Sequence, residues 1–105
     1  MPHSKDQIDV AKSIRMIEWL KAELVSSAGS VLKSFIKGSE ELMLDCLASV
    51  IMTAYLLGKR SGIPFRRIDQ RLKEKIAAGI KSRHEIEQWY GDLSSLQRYM
   101  EERKR

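Results

Sequence analysis

Cysteine occurs once in these 105 residues, at Cys46. No disulfide can form within the chain, and the thiol lies in an apolar run that suits a small buried hydrophobe better than a reactive group. Histidine occurs twice, as His3 and His84. One cysteine and two scattered histidines exclude a Cys/His metal cluster. A phosphate-cradling glycine loop is missing: Gly58-Lys-Arg-Ser-Gly62 sits at a helix end and lacks the required spacing. No nucleophile–base pair stands out, and no segment alternates polar and apolar residues with period two, so nothing argues for a sheet. Internal repeats and low-complexity linkers are absent. The longest apolar run, Leu42–Leu57, contains Asp45 and reads as too short to span a bilayer. Residues 1–13 are charged throughout and do not read as a signal peptide. The expected setting is a reducing cytoplasm, with no membrane partner.

What is present fits a soluble globular chain. Apolar residues make up 43% and charged residues 31%, enough for one modest core and one domain over residues 1–105. A domain this small gains from self-association. Net charge is +5, from 19 basic and 14 acidic residues. The excess gathers at Lys59–Arg60, Arg66–Arg67, Arg71–Lys75 and Arg103–Arg105. It is either a solvated surface or an attractor of phosphate-bearing partners.

Helical spacing runs through the whole chain. After a disordered lead-in at residues 1–5, apolar positions from Ile8 to Phe35 recur in steps of three and four. They predict one long helix to about Lys37, or two pieces with a break near Val25–Ser27. Gly38 stops it and Ser39 caps the next helix, which runs from about Glu40 to Arg60. That helix is apolar on nearly all sides and must be covered by its own chain or by a second copy. Gly62 ends it. Pro64–Ala78 is helical with Gly79 as its stop, Ser82-Arg-His-Glu85 is a capping box for a short helix through Trp89, and Gly91–Asp92 restarts a last helix. Met16, Met43, Met52, Met100 and Trp19 read as core, and Trp89–Tyr90 as anchors of the short helix against the hairpin.

Within Glu40–Arg60 the polar residues Asp45, Ser49 and Thr53 stand four apart and continue back to Glu41. The preceding helix carries Ser26, Ser30 and Ser34 at the same spacing, with Ser27 beside them. A tight turn at Gly38–Ser39 folds these helices antiparallel and brings Ser34 near Asp45, Ser30 near Ser49 and Ser26 near Thr53. Two readings follow. Small residues let the helices approach closely, or the hydroxyls and Asp45 line a polar pocket, since a buried carboxylate must be paired, hydrogen-bonded or metal-bound.

The run from Leu24 to Arg67 resembles the MazG-like branch of the all-α nucleoside triphosphate pyrophosphohydrolases. That family's pattern is a helix with E-E-x-x-E, a Lys-Gly turn, a helix with E-x-x-D and a Leu-Gly-Ile-type exit. Here the turn is Lys37–Gly38, the exit is Ser61-Gly62-Ile63, and Gly29 matches the motif's internal glycine. Asp92 to Tyr99 is similar to the tail of small MazG-like proteins of bacteria. The resemblance implies an all-α helical bundle built on an antiparallel hairpin and assembled as a homodimer or tetramer. It also implies Mg²⁺-dependent pyrophosphate cleavage. The family's five carboxylates, however, fall on Ser26, Ser27, Ser30, Cys46 and Ser49. On the following helix Lys75 matches a lysine frequent in these enzymes, but Gly79 replaces their asparagine.

Hydroxyls are weak ligands for a hard divalent cation. The leading expectation is therefore a catalytically degenerate MazG-like domain acting as a binding or regulatory protein. Its candidate pocket is Ser26, Ser30, Asp45 and Ser49, open to a nucleotide or other small phosphate ligand, with Lys33 or Lys37 nearby. An alternative is an active pyrophosphohydrolase with a reduced Mg²⁺ site at Glu41 and Asp45, helped by Glu23 if the alignment slips by a turn. A third reading is a basic helical nucleic-acid-binding module, with Trp19, Trp89 and Tyr90 stacking on bases. The core and anchor roles given to those aromatics argue against a nucleic-acid partner.

Overall fold

The computed structural model describes residues 2–103, with side chains from residue 7 onward. Its elements are five helices, α1 (Pro2–Lys37), α2 (Glu40–Arg60), α3 (Phe65–Lys81), α4 (Glu85–Tyr90) and α5 (Asp92–Glu102), with no strand among the described residues. The all-α reading of the sequence is met. The chain forms two compact units, Met1–Phe65 and Arg66–Arg105.

The first unit is the helical hairpin. α1 is a single continuous helix, so the alternative break near Val25–Ser27 does not occur. It starts at Pro2, so residues 2–5 are helical rather than a disordered lead-in. Proline suits a first helical turn, where its missing N–H costs nothing. Met1 lies outside the described residues. Gly38 takes φ +67°, and the Ser39 hydroxyl accepts a hydrogen bond from the Leu42 amide at 3.2 Å, as the turn residues predict. α2 ends in a left-handed turn at Gly62, φ +93°, with the Ile63 amide donating to the Gly58 carbonyl at 2.8 Å and the Gly62 amide to Lys59 at 3.0 Å. Both bonds satisfy carbonyls that the helix end leaves free. Phe65 then packs edge-on against Tyr55, 5.7 Å between ring centres, and under the Lys59 ammonium at 5.2 Å.

The seam between α1 and α2 follows a seven-residue rule. On α1, Leu20, Ser27 and Ser34 are buried, with Ile17, Leu24 and Val31 half-buried between them. On α2, Cys46 and Thr53 are buried, with Met43, Val50 and Leu57 between them. Steps of three and four averaging 3.5 are those of an antiparallel coiled-coil seam. Ser34 is fully buried and its hydroxyl donates to the Val31 carbonyl at 2.6 Å. Such small hydrogen-bonded residues keep the seam narrow. α1 has 36 residues and α2 has 21. At 1.5 Å per residue, α1 runs on about 22 Å past the end of α2.

α2 is long and apolar enough to cross a membrane by length and composition alone, a test that core helices also pass. The expectation that Leu42–Leu57 is too short holds for that run but not for the helix that contains it. Within the structure α2 buries only Cys46 and Thr53, and Leu44, Leu47, Ile51 and Met52 stand exposed. On α1, Val25, Leu32, Phe35 and Ile36 are likewise exposed. Each helix thus carries a second apolar stripe off the seam.

The second unit contains α3 to α5. Gly79, expected to stop α3, lies inside it. A Cβ there would come within 2.7 Å of Leu93 Cδ1, so this glycine serves close packing rather than termination. The actual stop is Arg83, at φ +57°, with the His84 amide bonded to the Gly79 carbonyl at 3.0 Å and the Arg83 amide to Ile80 at 3.1 Å. The expected capping box does not form. The Ser82 hydroxyl turns back to the Gly79 carbonyl, and His84 caps α4 through Nδ1, which accepts from the Ile86 amide at 3.2 Å. Gly91 closes α4 in the left-handed conformation, φ +67°. Ile76 of α3 and Met100 of α5 are buried and line one small cavity of about 80 Å³.

Candidate functional site

The hairpin positions the residues singled out from the sequence, and its 3.5-residue period decides which of them face inward. Steps of four rotate 40° per step around a helix of 3.6 residues per turn, so a stripe of serines at that spacing drifts off the seam. Ser34 is buried, but Ser26 and Ser30 are exposed; the buried serine at the far end is Ser27. On α2, Thr53 and Cys46 are buried, Ser49 is half-buried, and Asp45 and Glu41 are exposed. The two polar stripes therefore do not face each other along their length, and Ser26, Ser30, Asp45 and Ser49 do not close into one buried pocket. The premise that Asp45 is a buried carboxylate falls with this. Lys33 and Lys37 are also exposed.

Among the described residues no buried side-chain polar atom lacks a partner. Of the seam hydroxyls, that of Ser34 is satisfied within its own helix by the Val31 carbonyl. Nor do any three or more His, Cys, Asp or Glu side chains gather to hold a metal ion. Glu41 and Asp45 stand four residues apart on an open face of α2, about 6 Å along the axis. A hard cation such as Mg²⁺ sheds water only for several well-placed oxygens, and this donor set does not fit it. Glu23 is half-buried on α1 and joins no such group.

Three features escaped the sequence reading. The Glu87 carboxylate of α4 accepts hydrogen bonds from the Ser94 amide, at 3.0 Å, and from the Ser94 hydroxyl. It thereby caps α5 from outside that helix, where Gly91 offers no side chain. The Ser94 hydroxyl, with the amide behind it, holds the Glu87 carboxyl below its ordinary pKa. The aromatics expected inside are outside: Trp19 is 56% exposed, Trp89 67% and Tyr90 71%. Met16 and Met52 are exposed too, whereas Met100 is core. Finally, two open clefts lie on helix faces. One, of about 440 Å³, is lined by Lys12, Arg15, Met16 and Trp19 of α1. The other, of about 370 Å³, is lined by Arg66, Arg67, Asp69, Gln70 and Lys73 of α3.

The turn, the exit and the α3 helix sit where the Lys37–Gly38 and Ser61-Gly62-Ile63 motifs place them. The model of the MazG-like family matches residues 10–93. The chain belongs to the MazG-like family. This MazG-like chain is thus a nucleotide pyrophosphohydrolase-like domain. The match covers the hairpin from residue 10 onward, α3, α4 and the start of α5. No curated protein and no solved structure matches the chain.

Proposed function

We propose that this MazG-like domain has lost pyrophosphohydrolase activity and acts as a binding or regulatory protein in a reducing, cytoplasmic setting. The observation that carries the reading is the state of the positions where the family's carboxylates fall. Ser27 and Cys46 are small, neutral and buried in the hairpin seam. Ser26, Ser30 and Ser49 bring hydroxyls only, and no metal-holding group exists among the described residues. A site that cleaves a pyrophosphate must neutralise phosphate charge and prepare the attacking water. Neutral side chains, two of them locked into a packed seam, supply neither. What remains suited to a phosphate ligand is positive charge on exposed helix faces.

The test is release of pyrophosphate from a panel of nucleoside triphosphates with Mg²⁺ or Mn²⁺. No turnover above background is expected. Turnover that Asp45→Asn or Glu41→Gln abolishes would overturn the reading and support a reduced metal site at those two acids.

The proposal includes self-association as a homodimer or tetramer. The second apolar stripe of α2, at Leu44, Leu47 and Ile51, is exposed, and an apolar stripe of that length on a soluble chain calls for cover.

A further inference from the structure

We propose that one apolar face of the hairpin docks a second copy of this chain, α1 against α1 and α2 against α2, with the two Gly38–Ser39 turns at opposite ends. The proposal rests on the self-association inferred above and adds the face, the register and the side left open. On α1, Val25, Leu32 and Ile36 are exposed, with Gly29 between the first two. On α2, Leu44, Leu47 and Ile51 are exposed at steps of three and four. At about 100° per residue, each stripe lies about 120° round its helix from the seam, in the same sense along the chain. Because the helices run antiparallel, that shared sense puts both stripes on one face of the hairpin. Ser26 and Ser30 of α1 and Glu41 and Asp45 of α2 fall on the opposite face, which the second copy leaves open.

The face has the size of an interface. Its six large side chains are 45% to 87% exposed. Together they offer several hundred Å² of apolar surface, on the order of the roughly 800 Å² that each partner contributes to a stable pair. The face is also self-complementary. The midpoint of Val25 and Leu32 falls between Ala28 and Gly29, and that of Leu47 and Ile51 falls at Ser49. Both midpoints lie about 15 Å from the turn. One two-fold axis crossing the hairpin at that height therefore serves both helices. It sets Val25 against Leu32 of the second copy, and Leu47 against Ile51 of the second copy. A surface shaped for an unrelated partner has no reason to share a midpoint. Gly29 fits the same axis. It stands half-buried inside a helix, where glycine is unfavourable. A Cβ there would meet nothing within 4 Å, so its own hairpin does not require it. The axis passes beside Gly29, where the two α1 helices come closest and a bare backbone lets them approach.

The test combines sedimentation equilibrium of the full chain with cross-linking by a short bismaleimide. The parent should sediment as a dimer or a multiple of it. Ala28→Cys, beside the axis, should give a covalent dimer, and the parent should not, since its Cys46 is buried. Gly29→Leu should raise the dimer dissociation constant about tenfold or more by overpacking the crossing. Leu32→Glu should dissociate the pair, whereas Met52→Glu, on the opposite face of α2, should leave the mass unchanged. Far-ultraviolet circular dichroism checks that each variant keeps its helices. A parent that is monomeric at every concentration overturns the proposal. So does a dimer that Ala28→Cys fails to cross-link, or one that Met52→Glu breaks and Leu32→Glu does not; either result keeps self-association but removes this face. A monomer that cosediments with phosphatidylcholine vesicles, and is released by Leu32→Glu, overturns it in favour of a bilayer. None of these readouts depends on pyrophosphate release, so the loss of hydrolysis stands or falls separately.

Discussion

Single residues in this chain do work that their type alone does not announce. Arg83 sits at φ +57°, a conformation that costs an L-residue about 1–2 kcal/mol. Arg83→Gly should therefore stabilise the protein by about 0.5–1 kcal/mol after the extra unfolded-state entropy of glycine is counted, measured as a raised midpoint in urea. Gly79 is the reverse case. Alanine there gains about 1 kcal/mol of helix propensity but pushes on Leu93 Cδ1, the movable end of a side chain. The two effects separate in a double-mutant cycle: Gly79→Ala should stabilise the Leu93→Ala protein clearly more than the parent, with a coupling of about 1 kcal/mol. Additive effects would mean that the contact does not restrict the site. Glu87 gives a pH signature. Its carboxyl is held below its ordinary value by the Ser94 bonds. The stability it adds is therefore present above the unfolded-state pKa and is lost as pH falls through the lower folded value. Thermal melts should show the parent losing its advantage over Glu87→Gln across that acidic window, and an advantage independent of pH would refute the assignment.

Among elements, the hairpin seam shows how far a sequence can be read. The turn at Gly38–Ser39, the exit at Gly62 and the long helices were legible because each depends on local chemistry: a left-handed glycine, a hydroxyl cap, apolar residues at helical spacing. Which serines face inward was not legible from steps of four, because the packed seam keeps a 3.5-residue period that the stripe does not share. Ser27 and Cys46 take the buried positions, and Ser26 and Asp45 turn outward. Gly79 misled for a related reason. A glycine inside a helical pattern reads as a stop unless the residue across from it is known, and Leu93 is 14 positions away in the chain. The capping role of Glu87 has a local signal, an acid four residues before Gly91, but its partner belongs to the next helix. At this scale the seam predicts that Ser34→Leu destabilises by about 1–3 kcal/mol through overpacking, read in the same urea experiment. Ser34→Ala should stay near the parent, since the Val31 carbonyl keeps its helical bond.

For the whole molecule, composition and spacing established the fold class, and the resemblance to the MazG-like family framed the proposed function. Burial of the aromatics was read wrongly because an amphipathic pattern tells which face is apolar, not what covers it. Trp19, Trp89 and Tyr90 are apolar residues on open faces. Self-association tests this directly. Light scattering coupled to gel filtration should give a mass above the 12.1 kDa of one chain, and Leu47→Glu with Ile51→Glu should return it to that of a monomer. A parent that elutes as a monomer at all accessible concentrations would remove the second copy from the proposal.

The length difference within the hairpin has a practical consequence. Residues 7–16 of α1 have no stretch of α2 beside them, and a helix segment without a packed partner opens easily. Its amide protons therefore act as a built-in gauge. Deuterium uptake along residues 7–16 should be fast wherever that stretch stands alone and should slow in proportion to occupancy when any surface, a second copy included, settles against it. The gauge needs no label, no known ligand and no activity, so it can report the first contact this protein makes before the identity of the contact is known.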